Sequence, residues 1–381
     1  MKKVKYLISA GSLALVLISC EKTMQESSDA VALRADNNNV QAAEKSSAGY
    51  VYTLNNQAIN KVMAFSRDAS GRLEYVAAYP TGGAGTAMGT GSQGALAWSE
   101  TYNLLLAVNP GSNSVSSMSG TGLQQISTVS SGGTSPISVT TYNDLVYVLN
   151  GGGTGNISGF RMSADGHLTA IASSTRSLSS SSAGPAQVSF VNDGQVLVVT
   201  EKATNHITTY TVNGAGLTGT MTVTTSAHPT PFGFAEGKNG IIYVSEAAGG
   251  AAGQSAVSAY RVSSNGMVTL TAGPVMANQS AACWVVTNNN GKYVYSTNTA
   301  SNTVSSFATV NSDGLTILSA VAAMTGATPI DAYMSNNSKY LYVLNSSSHN
   351  IGGYAVNTDG SLNYIAEAGV LPAGTVGLLA K

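Results

Sequence analysis

The stretch YVYSTNTASNTVSSFATVNSDGL, residues 293–315, contains every part of a phrase that decides the fold. A run of β-forming residues ends in Asn298, an Asn-x-Val-x-x-aromatic motif starts at Asn302, and an Asp-Gly turn leads to Leu315. Runs of this kind occur seven times, each ending in Asn or Glu: Tyr50–Asn55, Leu104–Asn109, Leu145–Asn150, Val196–Glu201, Ile241–Glu246, Tyr293–Asn298 and Tyr340–Asn345. Their starts lie 41 to 54 residues apart, which suits a four-stranded unit and is too long for a helical hairpin repeat.

The strands of one unit can be predicted from its own residues. In the fourth unit, alternating apolar residues predict four strands: 186–191, 196–200, 207–212 and 217–225. Short turns such as 192–194 join them, and glycine in such turns supplies the positive φ of a tight hairpin. One such sheet cannot bury both faces, but seven packed radially can. We therefore predict an all-β fold, a seven-bladed β-propeller with four antiparallel strands per blade.

The two ends of this predicted domain, residues 49–381, complement each other. The first unit begins at Tyr50 without an obvious inner strand before it. The segment 375–379 resembles an inner strand and has no unit after it. We expect this C-terminal strand to complete the first blade and close the ring.

The N-terminal sequence is typical of an export signal. Three lysines precede an apolar segment, residues 7–18, and the tetrapeptide Leu-Ile-Ser-Cys that ends at Cys20 resembles the lipobox of bacterial lipoproteins. We predict a signal peptide at 1–19 and a lipidated Cys20 followed by a flexible polar tether, together residues 20–48. The alternatives are a plain signal peptide and a short membrane anchor. The favoured interpretation places the protein in the bacterial cell envelope as an outer-membrane lipoprotein.

Composition and charge argue against a nucleic-acid partner. Only 9% of the residues are charged, against about 25% in ordinary globular chains. Without the three N-terminal lysines, 14 of the 17 basic residues remain against 18 acidic ones, so no nucleic-acid groove is expected.

After lipidation of Cys20, the one remaining thiol is Cys283, whose apolar neighbours predict an inert buried side chain. We expect a monomer.

No motif predicts a cofactor or a metal. The four histidines lack metal-ligand spacing. The segment 89–94 satisfies G-x-G-x-x-G but leads into a strand, not a helix, so we interpret it as a loop between blades. The sequence has neither a G-x-S-x-G nucleophile elbow nor a phosphate-binding G-x-x-x-x-G-K motif.

The repeated motifs also carry a family resemblance. Tyr-Val-Tyr-x-x-Asn second strands, Asn-x-Val-x-x-Tyr third strands, Asp-Gly-x-Leu turns and the seven-fold count resemble the lactonase-type seven-bladed β-propellers. That family includes bacterial 6-phosphogluconolactonases and fungal carboxymuconate cyclases, and it borders the Tyr-Val-Thr-Asn repeat propellers. The resemblance covers residues 48–381. It implies the propeller fold, and it makes hydrolysis of a lactone a candidate activity.

The catalytic residues of that family are only partly matched. Its enzymes carry Gly-Pro-Arg-His at the start of a middle inner strand and a Glu at the end of the next strand. Here Glu201 matches, but Ala186 and Gln187 stand at the Arg and His positions. A further family His corresponds to the segment 135–138, which contains none, and an Arg corresponds approximately to His228. The resemblance therefore retains Glu201, with His228 as a candidate replacement.

The repeats point independently to the same region. The last residue of each second strand is expected on the channel-mouth face, where five blades carry Asn and two neighbouring blades carry Glu201 and Glu246. His228 lies in the connection between those two blades. We therefore predict Glu201, His228 and Glu246 as a catalytic cluster for acid/base work. The alternative is that both Glu side chains cap loop N–H groups, as the Asn residues would.

Other residues are candidate ligand contacts. The channel is expected to be lined by the second residue after each strand-opening proline or its equivalent. Ser138, Gln187 and Asp331 are therefore predicted to bind ligand from the inner strands, and Asn150 and Asn298 from the strand ends. Gly233 and Cys283 occupy equivalent inner positions. Asp331 is the one charged residue in this inner set, and a hydrated carboxylate in a wet channel is its alternative interpretation.

Two functions fit these observations. One is an envelope propeller with a degenerate catalytic set, anchored to the membrane through Cys20, that binds a small molecule, glycan or protein on its loop face. The other is an active hydrolase of a sugar lactone. The absence of the family's Arg and His residues favours binding, whereas the resemblance favours hydrolysis.

Overall fold

The computed structural model describes residues 47–311 and 313–381, and its chain forms seven antiparallel sheets in succession. Within each sheet, strands that are joined by short connections pair in chain order. The inner strands of successive sheets contact one another around a ring that the C-terminal strand completes. The predicted seven-bladed propeller is confirmed.

The first four blades contain Glu201, one of the three predicted catalytic residues, in the second strand of blade 4. Their strands are, for blade 1, β1 (Gly49–Leu54), β2 (Lys61–Arg67) and β3 (Leu73–Pro80); for blade 2, β4 (Leu96–Ser99), β5 (Leu104–Asn109), β6 (Ser114–Ser119) and β7 (Gln125–Ser130); for blade 3, β8 (Pro136–Tyr142), β9 (Leu145–Asn150), β10 (Asn156–Met162), β11 (Leu168–Ala170) and β12 (Arg176–Ser177); and for blade 4, β13 (Pro185–Val191), β14 (Val196–Glu201), β15 (His206–Val212) and β16 (Thr218–Thr225). The predicted strands of blade 4 agree with these to within one residue at each end.

The remaining blades complete the ring. Their strands are, for blade 5, β17 (Pro231–Glu236), β18 (Ile241–Glu246), β19 (Ala256–Val262) and β20 (Val268–Met276); for blade 6, β21 (Ala282–Thr287), β22 (Tyr293–Asn298), β23 (Thr303–Val310) and β24 (Gly314–Met324); for blade 7, β25 (Pro329–Met334), β26 (Tyr340–Asn345), β27 (Asn350–Val356) and β28 (Leu362–Ala368); and, returning to blade 1, β29 (Val376–Ala380). Two short 3₁₀ turns lie at Pro110–Ser112 and Ala248–Gly250. Blade 3 departs from four strands, since its outer strand is broken into β11 and β12, both paired with β10.

The ring closes as the sequence predicts, through the C-terminal strand. Strand β29 pairs antiparallel with β1, with Tyr52 opposite Leu379 and Thr53 opposite Leu378. Beyond that ladder, the Tyr50 amide donates to the carbonyl of Lys381 at 3.0 Å, and the Lys381 amide donates to the Tyr50 carbonyl at 2.7 Å. The C-terminal strand is thus an integral inner strand of blade 1.

In three blades a tyrosine of the second strand joins the blade to the next one. Tyr147, Tyr295 and Tyr342 occupy the third position of their second strands, and their rings are fully buried between blades. Their hydroxyls donate to turn-glycine carbonyls of the following blade: Tyr147 to Gly216 at 2.6 Å, Tyr295 to Gly360 at 2.9 Å and Tyr342 to Gly71 at 2.9 Å. A buried tyrosine hydroxyl needs such a partner, so in these three blades the tyrosine and the glycine turn of the next blade form one contact.

The predicted export signal lies outside the described residues. This applies to the signal peptide, to Cys20 and to the tether up to residue 46. Within residues 47–311 and 313–381, no helix is long and apolar enough to cross a lipid bilayer.

Candidate functional site

Glu201 lies at the end of β14 and is completely buried. Its Oε1 accepts hydrogen bonds from the Ser179 amide at 3.1 Å and the Thr208 hydroxyl at 2.9 Å. Its Oε2 accepts from the hydroxyls of Ser179 and Thr204, the latter at 3.0 Å. A carboxylate offers about four lone-pair sites, so the acceptor capacity of Glu201 is used within the protein.

Glu246 occupies the same position in blade 5 and is equally buried. Its Oε1 accepts from Ser226 Oγ at 2.7 Å, Tyr260 Oη at 2.7 Å and the backbone amide of His228 at 3.1 Å. Its Oε2 accepts from Ser258 Oγ at 2.6 Å. This carboxylate also has four donors, and they come from the chain segment that enters blade 5 and from strand β19.

The His228 imidazole does not join the two carboxylates. Its Nε2 contacts the carbonyl of Gln254 at 3.0 Å, and it is the His228 backbone that meets Glu246. Another histidine, His206, is nearer to Glu201, because its Nδ1 lies 3.0 Å from Ser179 Oγ. The structure thus places Glu201 and Glu246 in separate polar cages, with His228 contacting only the second. Their catalytic role stays a prediction.

The Asn residues at equivalent strand ends make matching contacts. Asn298 Nδ2 donates to the hydroxyls of Thr303 at 3.1 Å and Ser305 at 2.8 Å. Asn150 Nδ2 donates to the Ser131 carbonyl at 3.1 Å and to Asn156 Oδ1 at 2.8 Å. Asn150, like Glu201, thus joins the incoming loop to the third strand, whereas these contacts of Asn298 reach the third strand only. Both asparagines are buried, and the Oδ1 of each has no hydrogen-bond partner among the described residues. Their predicted contact with a ligand remains untested.

Inner-strand side chains connect neighbouring blades. Gln187 Nε2 donates to the Phe234 carbonyl at 3.0 Å, and its Oε1 accepts from the Phe234 amide at 2.7 Å. Ser138 Oγ accepts from the Val188 amide at 3.2 Å. In both cases the side chain of one blade forms hydrogen bonds with the backbone of the next blade, as a neighbouring strand would. Ser138 and Gln187 therefore have structural partners at the positions where a ligand contact was predicted.

Asp331 differs from the two glutamates. It is only 2% exposed, its Oδ1 accepts from the Ala332 amide at 2.8 Å, and its Oδ2 has no hydrogen-bond partner among the described residues. Burial raises the pKa of this carboxyl well above its usual range, although the amides of Ala332 and Leu378 act to lower it.

The loop 89–94 enters the centre of the ring. The Gln93 amide donates to the carbonyl of Ala186 at 3.0 Å, and its side chain bonds Val285 reciprocally, Nε2 to the carbonyl at 2.9 Å and the Val285 amide to Oε1 at 3.1 Å. Gly233 makes room for it, since a Cβ there would lie 2.0 Å from Gln93 Oε1. The predicted loop between blades is thus a plug that crosses the channel.

A cavity of about 350 Å³ lies at the mouth of the channel, beside this plug. Its apolar wall comes from the starts of inner strands and from the residues that follow second strands: Ala203, Phe232, Ala247, Trp284, Ile330 and Val376. Much of the remaining wall is glycine backbone. Lys202 is the one charged residue among the described residues that line it. No histidine and no carboxylate contributes to this lining.

Sequence reasoning missed Lys202, Phe232 and Trp284. Lys202 and Ala203 directly follow the strand end of Glu201, and Phe232 follows the strand-opening Pro231, so a search of the residues beside the predicted positions was the available signal. The plug was harder to predict because it depends on Gly233, far away in the sequence.

Among residues 47–311 and 313–381, no cluster of three His, Cys, Asp or Glu side chains is placed to hold a metal ion. A more open hollow of about 520 Å³ lies between blades 4 and 5 at the opposite end of β17, where Asn192, Glu236 and Lys238 line it. This hollow lacks the apolar wall of the mouth cavity. Cys283 is buried, as predicted.

Comparisons with known proteins agree with this fold. A family model described as a lactonase, 7-bladed beta-propeller, matches residues 200–332 and, in a second overlapping match, residues 267–376. No curated protein matches the chain in sequence.

Solved structures of the same fold include two candidate 6-phosphogluconolactonases and a gluconolactonase. A candidate 6-phosphogluconolactonase from Bacteroides fragilis superposes with a TM-score of 0.68 and 18% identity, over 88% of this chain and 98% of its own. Another from Bacteroides uniformis gives 0.66 and 20%, over 87% and 99%. The periplasmic gluconolactonase of Pseudomonas aeruginosa gives 0.65 and 16%, over 87% and 99%. At these identities the likeness shows the fold alone. Together with the partial family match, it confirms the seven-bladed β-propeller fold and makes the chain similar to the lactonase-type propellers.

Proposed function

We propose that this protein is a binding propeller that takes a small, largely apolar molecule into the mouth cavity and does not hydrolyse lactones. The observation that carries the proposal is the state of the two glutamates. Each accepts four hydrogen bonds from its own cage, and neither lines the cavity. A general base needs a free lone pair within reach of the water or proton that it takes.

The wall of the cavity supports binding. Phe232 and Trp284 pack with ring centroids 4.9 Å apart, and the Trp284 indole N–H donates to the Ser92 carbonyl at 2.9 Å. Since its polar atom is already bonded, Trp284 offers the cavity an apolar ring. A concave, mostly apolar wall with few polar groups is typical of a small-molecule site.

The proposal includes the anchoring suggested by the N-terminus. The three lysines, the apolar segment and the lipobox-like sequence ending at Cys20 support lipidation and a position in the cell envelope. Labelling of growing cells with a fatty-acid analogue should mark the wild-type protein and leave Cys20→Ser unmarked. Labelling of both forms would contradict this part of the proposal.

The second candidate function is hydrolysis of a sugar lactone. The family match and the candidate 6-phosphogluconolactonases among the structural neighbours favour it. In this alternative Glu201 would be the base that activates water, and His228 or Gln187 would polarise the carbonyl.

The two functions are separated by assaying the purified domain on a panel of lactones that includes 6-phosphogluconolactone. We expect no hydrolysis above background. The matched variant is Glu201→Gln, because both partners of Oε2 are hydroxyls that can accept a hydrogen bond from an amide, so the cage is retained while the base is removed. Hydrolysis by the wild type that Glu201→Gln abolishes would overturn the binding proposal in favour of the lactonase.

A further inference from the structure

We propose that the mouth face of this propeller docks onto a lipid bilayer through four protruding apolar side chains, which we call the apolar rim. The mouth face is the end of the propeller at which the second strands end and the inner strands begin, so it surrounds the mouth cavity. The apolar rim consists of Ile59, Met88, Met324 and Val370. The proposal goes beyond the binding function, because it concerns the surface around the cavity and does not depend on what the cavity binds.

The apolar rim contains the four most exposed large hydrophobic side chains of the described residues. The exposed fractions are 64%, 67%, 65% and 67% for Ile59, Met88, Met324 and Val370. A second group lies on β24 at the outer wall of blade 6, where the exposed fractions are only 38%, 45% and 44% for Ile317, Leu318 and Val321. Single exposed apolar residues are normal, but strong protrusion of several on one face indicates contact with another apolar surface.

Hydrogen bonds hold three of the rim loops together. The Asn56 side chain is buried, and its Nδ2 donates to the carbonyl of Met88 at 2.6 Å and to that of Gly374 at 3.2 Å. These bonds join the loops 55–60, 81–94 and 369–375, which carry all of the apolar rim except Met324. The side chains therefore project from a fixed backbone, so docking requires little ordering of the loops.

The same loops carry no charged side chain. No Asp, Glu, Lys or Arg occurs in 55–60, 81–94 or 369–375, although Lys61 and Glu367 flank them on strands β2 and β28. On the opposite face, every turn between the first and second strands of blades 2 to 7 carries a charge: Glu100, Asp144, Asp193, Lys238, Lys292 and Lys339. Because the transfer of a charged side chain out of water is costly, the mouth face is suited to approach lipid and the opposite face to stay in water.

A bilayer fits this surface better than a protein partner does. A stable protein interface buries about 1,200–2,000 Å² and is usually anchored by Trp, Tyr or Arg. The apolar rim has none of these residue types. Aliphatic side chains on an uncharged surface can insert at the boundary between lipid headgroups and acyl chains, where binding strength follows the apolar area buried. The loops 81–94 and 369–375 lead directly into the cavity lining at Gly89 and Val376, so a docked propeller would hold the cavity entrance against lipid.

Vesicle flotation tests the docking. The protein is residues 20–381 with Cys20→Ser, so that no acyl chain contributes to binding. We expect it to float with phosphatidylcholine vesicles and to remain bound in about 0.5 M salt, because the apolar rim carries no charge to be screened. Loss of binding at high salt would show that cations such as Lys61 attract the vesicles, and it would overturn the apolar docking.

Serine substitutions assign the binding to the apolar rim. The rim variant combines three of them: Ile59→Ser, Met88→Ser and Val370→Ser. The control variant combines three on the outer wall of blade 6: Ile317→Ser, Leu318→Ser and Val321→Ser. The rim variant should lower the vesicle partition coefficient about tenfold or more, because apolar burial drives the insertion, whereas the control should stay within about twofold of the wild type. Thermal unfolding checks that both variants are folded.

A second measurement does not depend on these variants. An environment-sensitive dye is attached at Val370→Cys on the apolar rim or at Val321→Cys on the wall, and the parent protein, whose Cys283 is buried, gives the background labelling. Vesicles should shift the emission of the first dye to the blue and leave the second unchanged. Equal shifts, or an equal loss of partitioning in the rim and control variants, would overturn the assignment to the apolar rim. Absence of flotation of the parent protein would overturn bilayer docking and leave the apolar rim to a protein partner.

Discussion

The propeller buries carboxylates at two sets of positions, the ends of the second strands and the inner strands, and the hydrogen bonding of the carboxylates differs between them. At the strand ends, Glu201 and Glu246 each collect four hydrogen bonds. On the inner strands, Asp331 is as deeply buried, but one of its oxygens has no hydrogen-bond partner among the described residues. A satisfied buried carboxylate acts as a structural joint, whereas an unsatisfied one shifts its titration.

The difference follows from what surrounds each set of positions. The strand ends face loops rich in Ser and Thr, whose hydroxyls donate to both oxygens of each Glu, whereas the Oδ1 atoms of Asn150 and Asn298 have no hydrogen-bond partner among the described residues. The inner strands face the backbone of the next blade, which offers one N–H and one C=O in fixed places. Gln187 matches that pair with both of its amide atoms, but an ionised aspartate can only accept.

The largest expected effect on stability comes from the loss of β29, the last inner strand of the ring. Deletion of residues 376–381 removes β29, including the buried side chains of Leu378 and Leu379. Truncation of one buried leucine costs about 2–5 kcal/mol, so losing two together with a whole strand should exceed most of the 5–15 kcal/mol that stabilises a typical domain. We expect circular dichroism to show no cooperative unfolding transition.

A matched control separates the effect of losing this strand from the effect of losing its last side chain. Lys381→Ala removes only the exposed ion pair with Glu100 and the contact with Trp98, so it should shift the unfolding free energy by less than about 1 kcal/mol. A cooperative transition near the wild-type temperature in the truncated form would contradict the inner-strand role.

The next effect tests whether the strand-end carboxylates are structural joints. Glu246→Ala leaves Tyr260, Ser226, Ser258 and the His228 amide without their shared acceptor, and we expect a loss of roughly 3 kcal/mol in the free energy of unfolding. Glu246→Gln should cost about 1 kcal/mol, because the new amide can donate to Ser258 while its oxygen retains the other three bonds. Urea unfolding measures both. Equal losses in the two variants would show that charge, not hydrogen bonding, holds the cage.

A smaller effect concerns the plug that the inner ring encloses. Gly233→Ala places a methyl group against Gln93 Oε1 and, at 2.7 Å, against the carbonyl of Cys283. Overpacking of this kind costs about 1–3 kcal/mol. Gly89→Ala is the matched control, since no atom lies within 4 Å of the added carbon, and its effect should stay within about 0.5 kcal/mol. Similar unfolding curves for both variants would contradict the close fit of the plug.

These contrasts show how far sequence reasoning extends. The blade count, the ring closure and the strand bounds of blade 4 could be predicted because they depend on local period and turn chemistry. The glutamates could be located, since they interrupt a series of asparagines. Their cages could not, because Ser179 and Ser226 reach them from irregular loops.

The mouth cavity was less predictable still. It combines Lys202 of blade 4, Trp284 of blade 6 and the loop 89–94, which no pattern within one repeat brings together. The same holds for the inner positions, where Ser138 and Gln187 fit an expectation of channel-lining polar groups equally well whether they bind a ligand or the next blade. Contacts between repeats depend on the closed ring, and the repeat alone does not encode them.

The smallest effect is the pH dependence of Asp331. Its folded-state pKa lies well above the unfolded value of about 3.9, so the folded protein binds the proton more tightly. Stability from this group is complete below the unfolded pKa and is lost as the pH rises through the folded pKa. Asp331→Asn cannot titrate. The free energy of unfolding of the wild type, relative to that of this variant, should therefore fall as the pH rises above about 4, when urea unfolding is measured at a series of pH values.

The slopes of the two stability curves decide whether this proton is linked to folding. If Asp331→Asn and wild type gave parallel curves across the pH series, the proton of Asp331 would be bound equally in the folded and unfolded chains. The oxygen of Asp331 that lacks a partner among the described residues would then no longer set the inner strands apart from the strand ends, where every carboxylate oxygen of Glu201 and Glu246 accepts a hydrogen bond.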